Sequence, residues 1–352
     1  MSSDDRAPTT PGLSGTPRSP GSPDDATTES GSSRSTAQTR RGARTRAFLP
    51  RRKRLKQLAR NLLIIWVASC IVLYAMQDYL LFPGRATQGQ KQAIIREPRA
   101  GDPYELVHLT TKSGERIVAL FGRATDDRGR DLPESESRTR PTILFFYRNG
   151  MCLADAFGEF MRFRGLGCNV LIPEYVGYGM STGKPSEQAL YETADAAYEH
   201  LQTRADVDAT KIIASGWSLG AAVAIDVAHR RPVIGLATFS AFTSYVDMGR
   251  AMLPWFPAPV SMLARYRFAS VEKVRTIGVP IFIAHGSHDR IIPSRMSERL
   301  SKEATKSPRV TTLWVDTDHN DIFEAREELW EPFERWLRSF SGEGVSPSHK
   351  QL

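Results

Sequence analysis

The chain has 352 residues, 41% hydrophobic and 24% charged, which excludes a wholly disordered or fibrous protein and leaves room for one large domain with appendages. A formal net charge of +8 would suit a nucleic acid or a membrane surface. Residues 1–83 carry 13 Lys and Arg against 6 Asp and Glu, however, leaving 34 against 33 in the remainder. The excess belongs to an N-terminal segment, and no nucleic-acid partner is expected.

Residues 1–39 are dominated by Ser, Thr, Pro, Gly and Asp, and 40–60 add ten basic residues with no acidic one. Neither stretch can bury enough apolar surface to offset the entropy of ordering, so 1–60 reads as a disordered, basic tail. An apolar run follows at 62–76, and Tyr79-Leu80-Leu81-Phe82 extends it past Asp78. Its length is marginal for a membrane span, but dense Lys and Arg on one side and Trp66, Tyr74, Tyr79 and Phe82 near the ends fit an interface-anchored helix. We therefore expect a single transmembrane anchor at 61–82. A buried core helix and a basic targeting arm each leave charge and apolarity side by side unexplained. A cleaved signal peptide does not suit an apolar run that starts only after residue 60 and lacks a small-x-small cleavage site, and the lipoprotein-type site at Val67-Ala68-Ser69-Cys70 has too short an apolar stretch before it and apolar residues after it. The positive-inside rule puts the N-terminus in the cytoplasm and the rest across the membrane, in a periplasmic, luminal or extracellular space.

From residue 84 onward, short apolar runs alternate with helix-like stretches, the pattern of an α/β domain with a mostly parallel sheet and helices on both faces. Eight strands are predicted at 105–109, 116–121, 142–147, 168–173, 211–216, 233–239, 279–285 and 310–316, and helices at 186–204, 219–229, 294–304 and 321–340. The domain is expected to span 84–340, with 341–352 a disordered polar tail. Cys70, Cys152 and Cys168 imply no disulfide framework.

Gly216-Trp217-Ser218-Leu219-Gly220 fits G-x-S-x-G, and it stands between a predicted strand and a small-residue helix. That is the sharp strand-to-helix turn of a nucleophile elbow, in which the outer glycines let two backbones approach. A serine hydroxyl needs a base, and the base needs an orienting acid, in the chain order Ser, Asp, His. Asp289 follows a buried strand and His319 follows the last strand, so both fall at carboxyl ends where catalytic groups collect. Asp316 and Asp318 are rival acids but sit too close in sequence to His319. His285 and His288 read as turn or packing residues. For the oxyanion, Leu219 supplies one backbone N–H, and the loop Tyr147-Arg148-Asn149-Gly150-Met151 the other, with Asn149 the first choice. No metal or cofactor is called for.

With these residues in place, the chain resembles the α/β-hydrolase superfamily over about residues 77–340, and within it the single-pass, bud-emergence-protein-like membrane hydrolases. Gln77-Asp78-Tyr79-Leu80-Leu81-Phe82-Pro83 is similar to the family's segment after its anchor. Gly177-Tyr178-Gly179 is similar to its glycine-tyrosine-glycine loop, and His285-Gly286-Ser287-His288-Asp289 and Asp318-His319-Asn320 match further motifs. Ser218, Asp289 and His319 fall on the family's catalytic positions. The chain departs from the pattern at Tyr147-Arg148-Asn149, where His-Gly-Asn is usual, and at Glu174 and Val176, where Asp and Arg are common. Arg148 reads either as solvent-facing or as a partner for an anionic substrate group.

The resemblance implies an α/β-hydrolase fold with a short cap insertion, and a membrane-anchored serine hydrolase cleaving carboxylic esters or thioesters of lipid or acylated substrates. The alternatives are a serine peptidase-like hydrolase and a non-catalytic membrane scaffold. The apolar stretch 252–260 reads as a roof for an acyl chain or as ordinary core packing. The oligomeric state is left open.

Overall fold

A computed structural model describes residues 51–257 and 259–340. Contacts divide the chain at Lys56/Gln57, and of the unit before that point only 51–56 are described, as helix. The expected tail 1–60 therefore lies mostly outside the described residues, as does 341–352. Its last ten residues need correcting: α1 runs from Arg51 to Leu81, so the basic run 51–60 is helical and continuous with the apolar stretch. Lys, Arg, Leu and Gln are all good helix formers, and no Gly or Pro interrupts them.

The sheet has eight strands: β1 (Glu105–Thr110), β2 (Arg116–Gly122), β3 (Thr142–Phe146), β4 (Asn169–Pro173), β5 (Ile212–Trp217), β6 (Gly235–Phe239), β7 (Ile281–Gly286) and β8 (Val310–Val315). Their order is β1-β2-β4-β3-β5-β6-β7-β8. The β1–β2 and β2–β4 pairs are antiparallel and every other pair is parallel. All residues of β3, β4, β5, β6 and β7 are buried, as strands covered on both faces require, which explains their continuous apolar runs. Each of the eight predicted strands corresponds to an observed one.

The helices are α2 (Glu134–Ser137), α3 (Phe157–Gly165), α4 (Glu187–Thr203), α5 (Leu219–Arg230), α6 (Tyr245–Met252), α7 (Val260–Leu263), α8 (Ser270–Val274), α9 (Arg295–Glu303) and α10 (Arg326–Arg338). Phe163 of α3 meets Trp330 and Phe333 of α10, while α5 packs with α4 and α8, so helices cover the sheet in two groups. The predicted helix 321–340 divides into a 3-10 turn, Ile322–Glu324, and α10. Short α2, α3 and α6 to α8 have no counterpart among the predicted helices, because one or two turns carry too little periodicity to be read.

The domain also begins earlier than residue 84. Leu81 and Phe82 are buried in the main core, Phe82 completely, and the Phe82 ring meets Tyr266 edge-on at 5.1 Å. Gly84 N–H donates to the Asn149 carbonyl at 2.9 Å, and a Cβ on Gly84 would lie 2.2 Å from the Tyr178 ring. The end of α1 is thus part of the fold.

Candidate active site

Parallel register aligns the carboxyl ends of the central strands. Phe146 of β3 pairs with Gly216 of β5, and Trp217 of β5 pairs with Phe239 of β6. Ser218 follows directly, at φ 56° and ψ −115°, a conformation L-residues avoid and the strained signature of an elbow. The glycines permit it. A Cβ on Gly216 would sit 2.1 Å from the Gly220 carbonyl oxygen, and one on Gly220 would sit 1.9 Å from that of Phe146. The Ser218 N–H is held by the Phe239 carbonyl at 2.8 Å.

Asp289 lies three residues past β7 and His319 four past β8, and the pairing of Gly286 with Val315 brings the two turns together. The Ser218 Oγ is 3.0 Å from His319 Nε2, and His319 Nδ1 is 2.6 Å from Asp289 Oδ2. A carboxylate can only accept, so Nδ1 carries the proton and Nε2 is left to accept from the hydroxyl. All three residues predicted for the triad are therefore in one hydrogen-bonded chain, with the serine and histidine buried. Trp217 steadies the histidine turn by donating its indole N–H to the His319 carbonyl at 3.2 Å. The rival acids are engaged elsewhere: Asp318 accepts from the His319 backbone N–H, and Asp316 pairs with His288.

Asp289 is fixed more firmly than expected. Its Oδ1 accepts from the N–H groups of Ile291 and Ile292 at 2.9 and 2.7 Å. Its Oδ2 is also 3.1 Å from Nε2 of His285, whose Nδ1 lies 2.6 Å from the Ser297 hydroxyl. Burial by itself would raise this carboxyl's pKa, but the bonds to His285 and His319 outweigh it and hold the group well below the usual carboxylate range. His285 is thus a second imidazole on the acid, where the sequence suggested only a turn or packing residue. Its position at i−4 from Asp289 was the available signal.

The second half of the site is the loop after β3. The Leu219 N–H, first in α5, has no helical partner, and neither it nor the Asn149 N–H has a hydrogen bond among the described residues. Arg148 and Gly150 N–H groups are likewise unpaired there. The rest of Asn149 is tied down: its side-chain amide donates to the Leu81 carbonyl at 3.1 Å, and its own carbonyl accepts from the Tyr178 hydroxyl at 3.0 Å. Two departures from the family pattern prove to be partners, since the Tyr147 hydroxyl donates to the Glu174 carboxyl group. Glu174 also accepts from Leu153 N–H at 2.9 Å. Burial pushes its carboxyl up to about 7, against the pull of these donors. Arg148 does not stand out in solvent: its guanidinium carbon lies 4.9 Å from the centre of the Trp217 ring, a cation–π contact on the elbow.

Between β6 and β7, the stretch 252–260 is not core packing, because Met252 and Trp255 are exposed. It lies along α1, where the Trp66 indole N–H donates to the Pro257 carbonyl at 3.2 Å.

Residues 177–319 match the Dienelactone hydrolase family. The chain is 30% identical to the alpha/beta hydrolase domain-containing protein WAV2 of Arabidopsis thaliana, over 79% of this chain and 93% of that protein. It is 32% identical to the alpha/beta hydrolase domain-containing protein aho-3 of Caenorhabditis elegans, over 72% of each. Among solved structures, the Pyrococcus furiosus esterase Pf2001 superposes with a TM-score of 0.55 at 17% identity, covering 71% of this chain and 99% of that one, a likeness of fold. Eight strands in this order, the elbow and two relatives matched over more than two thirds of their length lead to one conclusion: the chain belongs to the α/β-hydrolase superfamily.

Proposed function

We propose that this protein is a membrane-anchored serine hydrolase that cleaves carboxylic esters or thioesters of lipid or acylated substrates, of the bud-emergence-protein-like kind. The observation that carries the reading is the chain of bonds from Ser218 through His319 to Asp289, at 3.0 and 2.6 Å, built on a strained elbow. The Ser218 Oγ attacks the acyl carbon while His319 Nε2 takes its proton, and Asp289 holds the imidazolium that results. The tetrahedral oxyanion is received by the N–H groups of Leu219 and Asn149. His319 returns the proton to the leaving alcohol or thiol as the C–O or C–S bond breaks. Water, deprotonated by the same histidine, then attacks the acyl-serine, the bond between the acyl carbon and Ser218 Oγ breaks, and His319 returns the proton to Oγ as the acid leaves. No step calls for a metal or cofactor.

Support for the anchor comes from α1, 31 residues long, whose apolar part exposes Leu62, Leu63, Ile64, Ile65, Ile71 and Val72. At about 1.5 Å per residue it is long enough to cross a bilayer of roughly 30 Å. Its basic N-terminal end faces the cytoplasm in this reading, and the hydrolase domain lies on the other side.

The test is covalent. A fluorophosphonate should label Ser218 in the full-length protein and not in Ser218→Ala, and that variant should lose at least ~10³-fold in turnover of a short-chain ester. Undiminished turnover in the variant overturns the assignment.

A further inference from the structure

Residues 251–264, Ala-Met-Leu-Pro-Trp-Phe-Pro-Ala-Pro-Val-Ser-Met-Leu-Ala, contain no charged side chain and are bracketed by Arg250 and Arg265. Three of their large apolar side chains point away from the protein: Met252 is 63% exposed, Trp255 76% and Met262 84%. Exposed apolar groups clustered in one segment mark a contact surface rather than chance. The question is what covers them.

The answer lies in how the segment meets α1. At one end Trp66 holds the Pro257 carbonyl. Eleven residues on, Gln77 donates to the Leu263 carbonyl at 2.9 Å and accepts from the Arg265 N–H at 2.9 Å. One residue further, Asp78 pairs with Arg265 at 3.0 Å and accepts from the Tyr266 hydroxyl at 2.7 Å. Segment and helix therefore run side by side from Trp66 to Asp78, about 18 Å at 1.5 Å per residue. Their polarities also keep step. The uncharged part of the segment lies against the apolar part of α1, and the first ion pair comes at the level where α1 itself turns polar.

We infer that residues 252–257 and 259–263 enter the lipid bilayer together with α1, so that anchor and insertion form one membrane-embedded element. The inference rests on the anchor reading above. If the apolar part of α1 lies in hydrocarbon, a segment hydrogen-bonded to Trp66 and Gln77 lies at the same depth. Non-helical backbone is tolerated there only where its polar groups are satisfied. Pro254, Pro257 and Pro259 have no N–H to satisfy. Trp66 and Gln77 take the carbonyls of Pro257 and Leu263, and the N–H groups of Leu253, Phe256, Met262, Leu263 and Ala264 bond within the segment or to Gly249, which leaves those of Trp255, Val260 and Ser261 without a partner among the described residues. The segment leaves the sheet after β6, neighbour of the elbow strand, and returns to β7, which leads to Asp289. The lipid surface it meets is therefore on the catalytic edge of the sheet, and the substrate class that follows is an ester borne in the bilayer.

Tryptophan quenching separates the possibilities. Full-length wild type, Trp66→Phe and Trp255→Phe are reconstituted into phosphatidylcholine vesicles with brominated acyl chains, with fluorophosphonate labelling as the check that each is folded. The expected result is that both variants lose lipid-quenchable emission relative to wild type. If Trp66→Phe loses it and Trp255→Phe does not, the anchor stands and the inference is overturned. If the protein does not float with the vesicles, or Trp66→Phe leaves the quenchable emission whole, the anchor reading falls and the joint insertion falls with it.

Discussion

The two halves of the candidate active site are held in place by different means. The elbow is rigid through its own sequence: Gly216 and Gly220 let β5, α5 and β3 approach so closely that no side chain fits between them. The loop after β3 contains Gly150, where a Cβ would meet nothing closer than the Arg148 guanidinium at 3.4 Å. That loop is positioned from elsewhere, by the Leu81 carbonyl, the Tyr178 hydroxyl and the Glu174 carboxyl group. The elbow can thus be specified within five residues, whereas the shape of the loop after β3 depends on chain 27 to 68 residues away.

The largest effect should come from breaking the local half. Gly220→Ala forces a Cβ into the Phe146 backbone and should destabilise the fold by about 3 kcal/mol or more, with loss of Ser218 labelling. Gly150→Ala should keep turnover within about two-fold, since a side chain is accommodated there. Equal damage from both, measured by denaturant unfolding and ester turnover, would erase the distinction.

A smaller effect should follow from removing the remote support. A chain starting at residue 84 loses the Leu81 carbonyl that holds Asn149 and exposes the site that Phe82 fills. Turnover of a soluble short-chain ester should fall by roughly ten- to a hundred-fold, less than loss of a whole oxyanion donor, while slow fluorophosphonate labelling persists. Unchanged kcat would show that the loop after β3 holds its own shape.

The smallest effect concerns pH. The Glu174 carboxyl is raised from 4.5 to about 7 by burial, so its protonated form is the one the fold favours. Its contribution to stability is complete below the unfolded value and is lost as pH rises through about 7. Glu174→Gln keeps the shape without the titration, so the drop in unfolding free energy between about pH 5 and pH 8 should be shallower than in wild type. Identical slopes would mean that Glu174 stays ionised across that range. Asp289 has the opposite sign: its depressed carboxyl supports the fold above the ordinary carboxylate range, and that support fades only in strong acid.

Much of this was legible from residue order alone. Period and apolarity marked the eight strands, and G-x-S-x-G between a strand and a small-residue helix marked Ser218. Strand-end position singled out Asp289 and His319, which the register of β7 and β8 then brings within hydrogen-bond distance of one another. These features are local or follow from the order of parallel strands, so they can be read without coordinates. Other features depended on which distant segments meet. His285 became a second partner of Asp289, Tyr147 met Glu174, and Leu81 and Phe82 joined the core instead of ending an anchor. The composition of 252–260 fits core or roof equally, and only the contact between Trp66 and the Pro257 carbonyl places the stretch beside α1. A side chain's composition says what it can bond to, and its period says which face it is on. Neither says which remote backbone group will be within 3 Å, because that is decided by how sheet, helices and insertion pack together.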